Sequence, residues 1–115
     1  MANPSNLNPS VRIVSEIRGS ALTEDEIARI VRTDPRTVQS WAAGETEPSG
    51  EIGDRLLDLK LLCDDLHSFM APDAMESFWH SRSDWLEERR PIDVLELGEF
   101  DLVRRTISAM GNFEN

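Results

Sequence analysis

Along this chain apolar residues recur at intervals of three and four, the period that places them on one face of an α-helix. Positions 1–9 fall outside the pattern. They are polar, rich in Asn, Ser and Pro, and read as a disordered tail. From position 10, Val11, Val14 and Ile17 share a face, with Ile13 beside Ile17, Ser10 placed as the cap and Gly19 as the stop. The clearest start signal follows. Thr23-x-x-Glu26 is a capping box, and Leu22 and Ile27 occupy the staple positions around it. Ile27, Ile30 and Val31 form the stripe of a short helix. Asp34 then caps a third helix with Pro35 at its first position, Val38, Trp41 and Ala42 inward, and Gly44 as stop.

Glu45 to Gly50 reads as a linker or tight loop. A longer helix fits 51–70, with Ile52, Leu56, Leu59, Cys63, Leu66 and Met70 on one face. Leu57, Leu61 and Leu62 widen it, which predicts burial on more than one side. Pro72 opens a short helix with Met75, Phe78 and Trp79. Residues 80–90 are charged, with Trp85 and Leu86 as the large apolar pair. Pro91 opens another short helix with Ile92, Val94 and Leu95, which Gly98 breaks. A last helix runs from about Glu99 to Met110, with Phe100, Val103, Ile107 and Met110 inward, and Gly111 ends the structured part. The pattern predicts that Ile27, Val31, Val38, Trp41, Leu56, Leu66, Val103 and Ile107 are buried.

Composition agrees with an all-α fold. The chain lacks Tyr and is weighted toward residues with high helix propensity. Its net charge of −10 favours a basic partner and opposes nucleic acid at long range. The single cysteine, Cys63, makes a disulfide-stapled secreted scaffold improbable. The N-terminus has no apolar signal core and no run approaches a membrane span, so the expectation is a cytoplasmic protein with no membrane partner. Enzyme readings find no support. Nucleophile-elbow, zinc-protease, Cys-x-x-Cys and phosphate-loop patterns are all missing, so no catalytic residue, metal or cofactor is expected. His67 and His80 have no partner at i+3 or i+4 and read as surface or boundary residues. Asp64 and Asp65 point apart on a helix and read as solvated.

Residues 23–44 form a helix-turn-helix pattern. Ala28 is the small residue where two helices approach, and Trp41 plugs the end of their joint core. Such a pair offers the outward side chains of its second helix to a major groove. Here those are Arg36, Thr37, Gln39 and Ser40, all able to bond base edges or phosphates. The turn position, usually Gly, is Arg32. Residues 1–50 hold five arginines and seven acids, a net of −2, which is a poor footprint for an autonomous DNA binder. DNA contact and a purely structural helical pair, kept for packing or dimerisation, therefore both stand.

The C-terminal half supplies a resemblance. Residues 84–110 read DWLEERRPIDVLELGEFDLVRRTISAM. The order Arg90-Pro91-Ile92-Asp93-Val94-Leu95, then Gly98-Glu99-Phe100, then an apolar closing helix resembles the MbcA/ParS/Xre antitoxin family. The helix-turn-helix followed by a long helix is similar to that family's other half, so the resemblance spans about residues 10–111. Many members carry an Asn-Pro and Gly-rich loop before the Arg-Pro step. Here Ser83 to Arg89 stands instead, closer to the shorter mycobacterial-type members.

That resemblance implies residues 1–9 as a tail, 10–50 as a helix-turn-helix module, 51–111 as a small helical toxin-binding domain, and 112–115 as a C-terminal tail. It implies a RES-domain toxin that consumes NAD as partner, its pocket blocked by the C-terminal domain. It also implies operator DNA as a second target, and a homodimer within a toxin–antitoxin hetero-oligomer. Trp85, Arg89, Arg90, Asp93 and Phe100 are the docking candidates, while Trp79, Trp85 and Phe100 could serve either core or interface, a Trp being more often core by residue type. Asn112, Phe113, Glu114 and Asn115 are candidates to plug or border the toxin's active site. They offer an aromatic and two acidic groups where a pyrophosphate would otherwise bind. Two other functions stay open: a stand-alone helix-turn-helix repressor with a helical dimerisation domain, and an adaptor with no toxin.

Overall fold

The computed structural model describes residues 9–111. The expected tail of residues 1–9 is one residue too long, since Pro9 already opens the first helix; residues 1–8 and 112–115, including Asn112, Phe113, Glu114 and Asn115, lie outside the described residues. Within them the fold is all-α, with helices α1 (Pro9–Arg18), α2 (Glu24–Val31), α3 (Pro35–Ala42), α4 (Gly50–His67), α5 (Pro72–His80), α6 (Pro91–Glu96) and α7 (Phe100–Gly111). One 3-10 turn, Asp84–Leu86, precedes α6.

Local chemistry sets most of the boundaries. At α2 the Thr23 hydroxyl accepts from the Glu26 N–H at 3.1 Å, and Glu26 Oε1 accepts from the Thr23 N–H at 2.9 Å. At α3 Asp34 Oδ1 accepts from the Thr37 N–H at 3.0 Å. Prolines 35, 72 and 91 occupy first-turn positions, where the missing N–H has no partner to lose. The α1 start differs from expectation. Ser10 lies inside the helix and is buried. Its hydroxyl lies 3.3 and 3.4 Å from the carbonyls of Trp41 and Thr46, so it ties α1 to the end of α3.

Helix α4 is the spine. It packs on α1, α2 and α7, while α3 packs on α1 and α2, and α6 packs on α2, α5 and α7. A continuous apolar core results, running from Val14 and Ile17 through Ile27, Val38 and Trp41 to Leu56, Leu66, Val103 and Ile107. All eight residues expected to be buried are buried. Trp79 is fully buried too, and its indole N–H donates to the Ser20 carbonyl at 2.8 Å. The Ser20 hydroxyl meets His67 Nε2 at 3.0 Å. Burial pushes the Cys63 thiol up to about 12, which leaves it an inert packing residue.

Three packing expectations fail. Leu57 and Leu61 are half-exposed rather than widening the buried face of α4, because its neighbours lie on one side only. Met110 is exposed at the last turn of α7, beyond the reach of the core. Helix α4 also stops at His67, short of 70. There the Ser68 and Phe69 N–H groups turn back to the carbonyls of Asp65 and Leu66.

Candidate functional site

The two helices expected over residues 23–44 are present as α2 and α3. Arg32 takes the left-handed conformation at φ 71°, ψ 51°, the geometry glycine usually supplies, and closes α2 onto the Ala28 carbonyl. Helix α3 then crosses with Val38 and Trp41 inward. Of the four expected outward residues, Arg36 and Gln39 are exposed, but Thr37 and Ser40 are only half-exposed. Helical rotation alone would leave Ser40 beside Arg36. The loop of Thr46 to Ser49 instead lies along that flank and, with Thr37, Ser40 and Trp41, lines a shallow groove. The Thr37 hydroxyl also donates to Asp34 at 3.4 Å. The readable surface of α3 thus reduces to Arg36, Gln39 and the helix backbone, with Glu47 close by.

The cations of α2 face the other way. Arg29 Nε lies 3.2 Å from Glu96 Oε2, and Arg32 donates to the Leu97 carbonyl at 3.4 Å. His80 Nε2 lies 2.7 Å from Glu26 Oε2, so the capping box is itself joined to the end of α5. The Glu26 hydrogen bond raises the His80 pKa against the opposing effect of partial burial. Burial pushes the Glu26 carboxyl up. Its hydrogen bonds from Thr23 and His80, with the His80 charge, outweigh that and hold it below the usual carboxylate range. A seam of polar contacts therefore fixes α2 to α5 and α6.

Across the seam lies the Arg90-Pro91-Ile92-Asp93 step. Arg90 caps α6 by position only, since a guanidinium cannot accept. Its fork instead grips Asp93 at 2.8 and 2.9 Å. That grip holds the Asp93 carboxyl below its ordinary range despite some burial. Both side chains remain about half-exposed, so the pair is a surface feature. Arg89 is half-buried. It donates to the Leu86 carbonyl at 3.0 Å and lies 3.6 Å from Glu99. Of the two readings open for Phe100, the structure supports core packing. It is only 8% exposed and belongs to the core, because it opens α7 on that helix's inward stripe.

Trp85 shows the opposite outcome. It is 65% exposed, so the core reading fails for it. Ser83 and Arg89 close the turn that carries it by an antiparallel bridge, while buried Leu86 anchors it. Glu87 and Glu88 follow in left-handed conformations at φ 58° and 65°. Two consecutive non-glycine residues in that region cost roughly 1–2 kcal/mol each, a cost that concentrates at functional sites. Leu97, at the far end of α6, is also missed by the sequence reading and is 59% exposed beside Gly98 at φ 89°. It lies off the stripe of Ile92, Val94 and Leu95, which was the available signal. Exposed apolar residues thus stand on the turn that precedes α6 and just past its last residue, with the Arg90–Asp93 pair at its start. Among the described residues no group of three or more His, Cys, Asp or Glu side chains is placed to hold a metal, and no helix is long and apolar enough to cross a membrane.

No family model matches the chain. The mycobacterial cidal antitoxin MbcA of Mycobacterium bovis is 34% identical over 89 residues, spanning 77% of this chain and 79% of that protein. MbcA of Mycobacterium tuberculosis matches to the same extent. Among solved structures, the crystal structure of the M. tuberculosis MbcT–MbcA toxin–antitoxin complex holds a similar chain. The TM-score is 0.77 at 30% identity, covering 95% of this chain and 96% of that one. Together with the Arg-Pro-x-Asp step and the helical order, these matches show that the chain belongs to the mycobacterial cidal antitoxin MbcA family.

Proposed function

We propose that this protein neutralises a cognate MbcT-like, RES-domain toxin by binding it and keeping NAD from its pocket. The observation that carries the reading is the likeness, across nearly the whole chain, to a chain of the toxin–antitoxin complex. The surface around α6 is the docking face. Trp85 and Leu97 supply apolar contact there, and the Arg90–Asp93 pair supplies orientation. Arg89 and Phe100 act from beneath, holding the Trp85 turn and the α6–α7 corner. Residues 112–115 are the candidates to plug or border the toxin's active site. Residues 51–111 form the toxin-binding part, and residues 10–50 the helix-turn-helix. A homodimer within the toxin complex would place two copies of α3 on an operator for autoregulation, with Arg36 and Gln39 as base or phosphate contacts. Such a cytoplasmic regulator does no chemistry of its own.

The experiment is co-expression with the toxin gene, then an NAD-consumption assay on the purified pair. Full inhibition at one antitoxin chain per toxin chain is expected. Uninhibited NAD consumption with the antitoxin in excess would refute the proposal. Truncation after Met110 separates the two ways of blocking. Restored NAD consumption within an intact complex assigns the plug to residues 111–115, whereas full inhibition assigns the block to the helical surface alone.

A further inference from the structure

Away from α6, helix α4 carries an apolar feature that the toxin reading does not use. Leu57 and Leu61, one turn apart, are 49% and 54% exposed. Leu57 also edges a slot of about 330 Å³ between the starts of α1 and α4, floored by Ile13, Pro48 and Leu56. Gly53 allows the slot to form. A Cβ there would stand 3.3 Å from the Pro48 backbone, which now lies against the helix. Among the described residues, the charged ones lining the slot are Glu47 and Asp54, with no lysine or arginine. Farther along, Asp58, Asp64 and Asp65 flank the ridge, and the nearby Lys60 is engaged by Asp64 at 2.6 Å and Glu16 at 3.5 Å.

We infer that this slot and ridge form a second docking surface, one that takes a cationic amphipathic helix of a protein partner. An apolar side chain of the partner enters the slot, its next turn lies on Leu57 and Leu61, and flanking Lys or Arg side chains meet Glu47 and Asp54. Helix-in-groove recognition uses this i, i+4 arrangement of anchors. Charge selects the occupant. A second copy of this chain would bring the same carboxylates against one another, and like charges facing across an interface oppose assembly. A basic helix instead gains from the carboxylates, and its arrival is favoured by a chain of net charge −10. The inference is independent of the toxin reading, since the surface shares no residue with the face around α6.

The test uses the full chain and a fluorescein-labelled 16-residue helical peptide with leucines at i and i+4 flanked by lysines. A control peptide has glutamates in place of the lysines. The lysine peptide is expected to bind with micromolar affinity that weakens as salt rises, and the glutamate peptide not to bind. Leu57→Asn with Leu61→Asn should weaken binding at least tenfold. Glu47→Gln with Asp54→Asn should weaken it severalfold and flatten the salt dependence. Because these side chains are exposed or line an open slot, thermal unfolding should confirm intact folds. Equal binding by the leucine variant would mean non-specific charge attraction and overturn the inference. So would sedimentation of the free chain as a dimer that the leucine variant dissociates, which would assign the surface to a second copy. Binding only after deletion of residues 1–8 would also overturn it, and would assign the slot to the chain's own N-terminal segment.

Discussion

Replacing Trp85 by alanine tests the docking face most sharply, because the residue has little else to do. A tryptophan can bury roughly 250 Å², so at 65% exposure roughly 160 Å² remains for a partner to cover. At about 25 cal/mol per Å² that area sets an upper limit near 4 kcal/mol. Ordering costs on binding reduce the net effect to about 2–3 kcal/mol, which is hot-spot size. The toxin's Kd should therefore rise about 30- to 150-fold. Folding stability should change by less than about 0.5 kcal/mol, as for an exposed substitution away from caps and core. Titration calorimetry against purified toxin and urea denaturation of the free antitoxin measure the two quantities. Unchanged affinity would refute the assignment of this turn to the interface. A large loss of stability would refute the claim that the side chain is held ready for a partner rather than for the core.

Trp41, only 2% exposed, predicts the reverse: Trp41→Ala should cost about 3–5 kcal/mol in urea denaturation and reach the toxin only through lost folding. Because the Glu26 contact raises the His80 pKa, its stabilisation is fully present below the ordinary imidazole value of about 6.5 and is lost as pH rises through the higher folded value. His80→Gln should therefore flatten the stability profile across the neutral range, and an unchanged slope in pH-dependent thermal melts would contradict this. Arg36→Ala should weaken operator binding by the toxin complex with little effect on toxin affinity, and band-shift titrations at several salt concentrations read both the loss and its salt dependence.

Much of the fold can be read where one residue's chemistry decides a boundary. Thr23-x-x-Glu26, Asp34-Pro35, Pro72 and Pro91 each start a helix by a local hydrogen bond or a fixed φ, so short windows suffice. The inward stripes of α2 and α3 follow from period alone. What escaped depends on partners remote in sequence. Ser10 reads as a cap until Trp41 and Thr46, more than thirty residues away, offer their carbonyls. Glu26 and His80 meet across 54 positions. Phe100 and Trp85, alike in sequence, part for the same reason. Both are aromatic beside charged residues, but one opens a packed helix while the other stands on a bridged turn that sequence does not announce. Leu57 and Leu61 mislead because a face rich in leucine reads as buried whether or not a neighbour covers it.

The disposition of the arginines bears on how a chain this acidic could act on DNA at all. A helix-turn-helix binds through phosphates neutralised by cations around the recognition helix. Here three of the nearby cations are committed internally: Arg18 lies 3.4 Å from Glu24, Arg29 reaches Glu96, and Arg32 holds the Leu97 carbonyl. Arg12 and Arg36 have no acidic partner among the described residues, while Glu45 and Glu47 follow α3 directly. Two cations per copy neutralise few phosphates, and the field of the whole chain opposes the approach. If the protein acts at an operator, the remaining positive charge must therefore be contributed by whatever it binds. Under the proposed function, repression would then belong to the complex, since the Arg29–Glu96 and Arg32–Leu97 contacts keep these cations on the α6 side of the molecule.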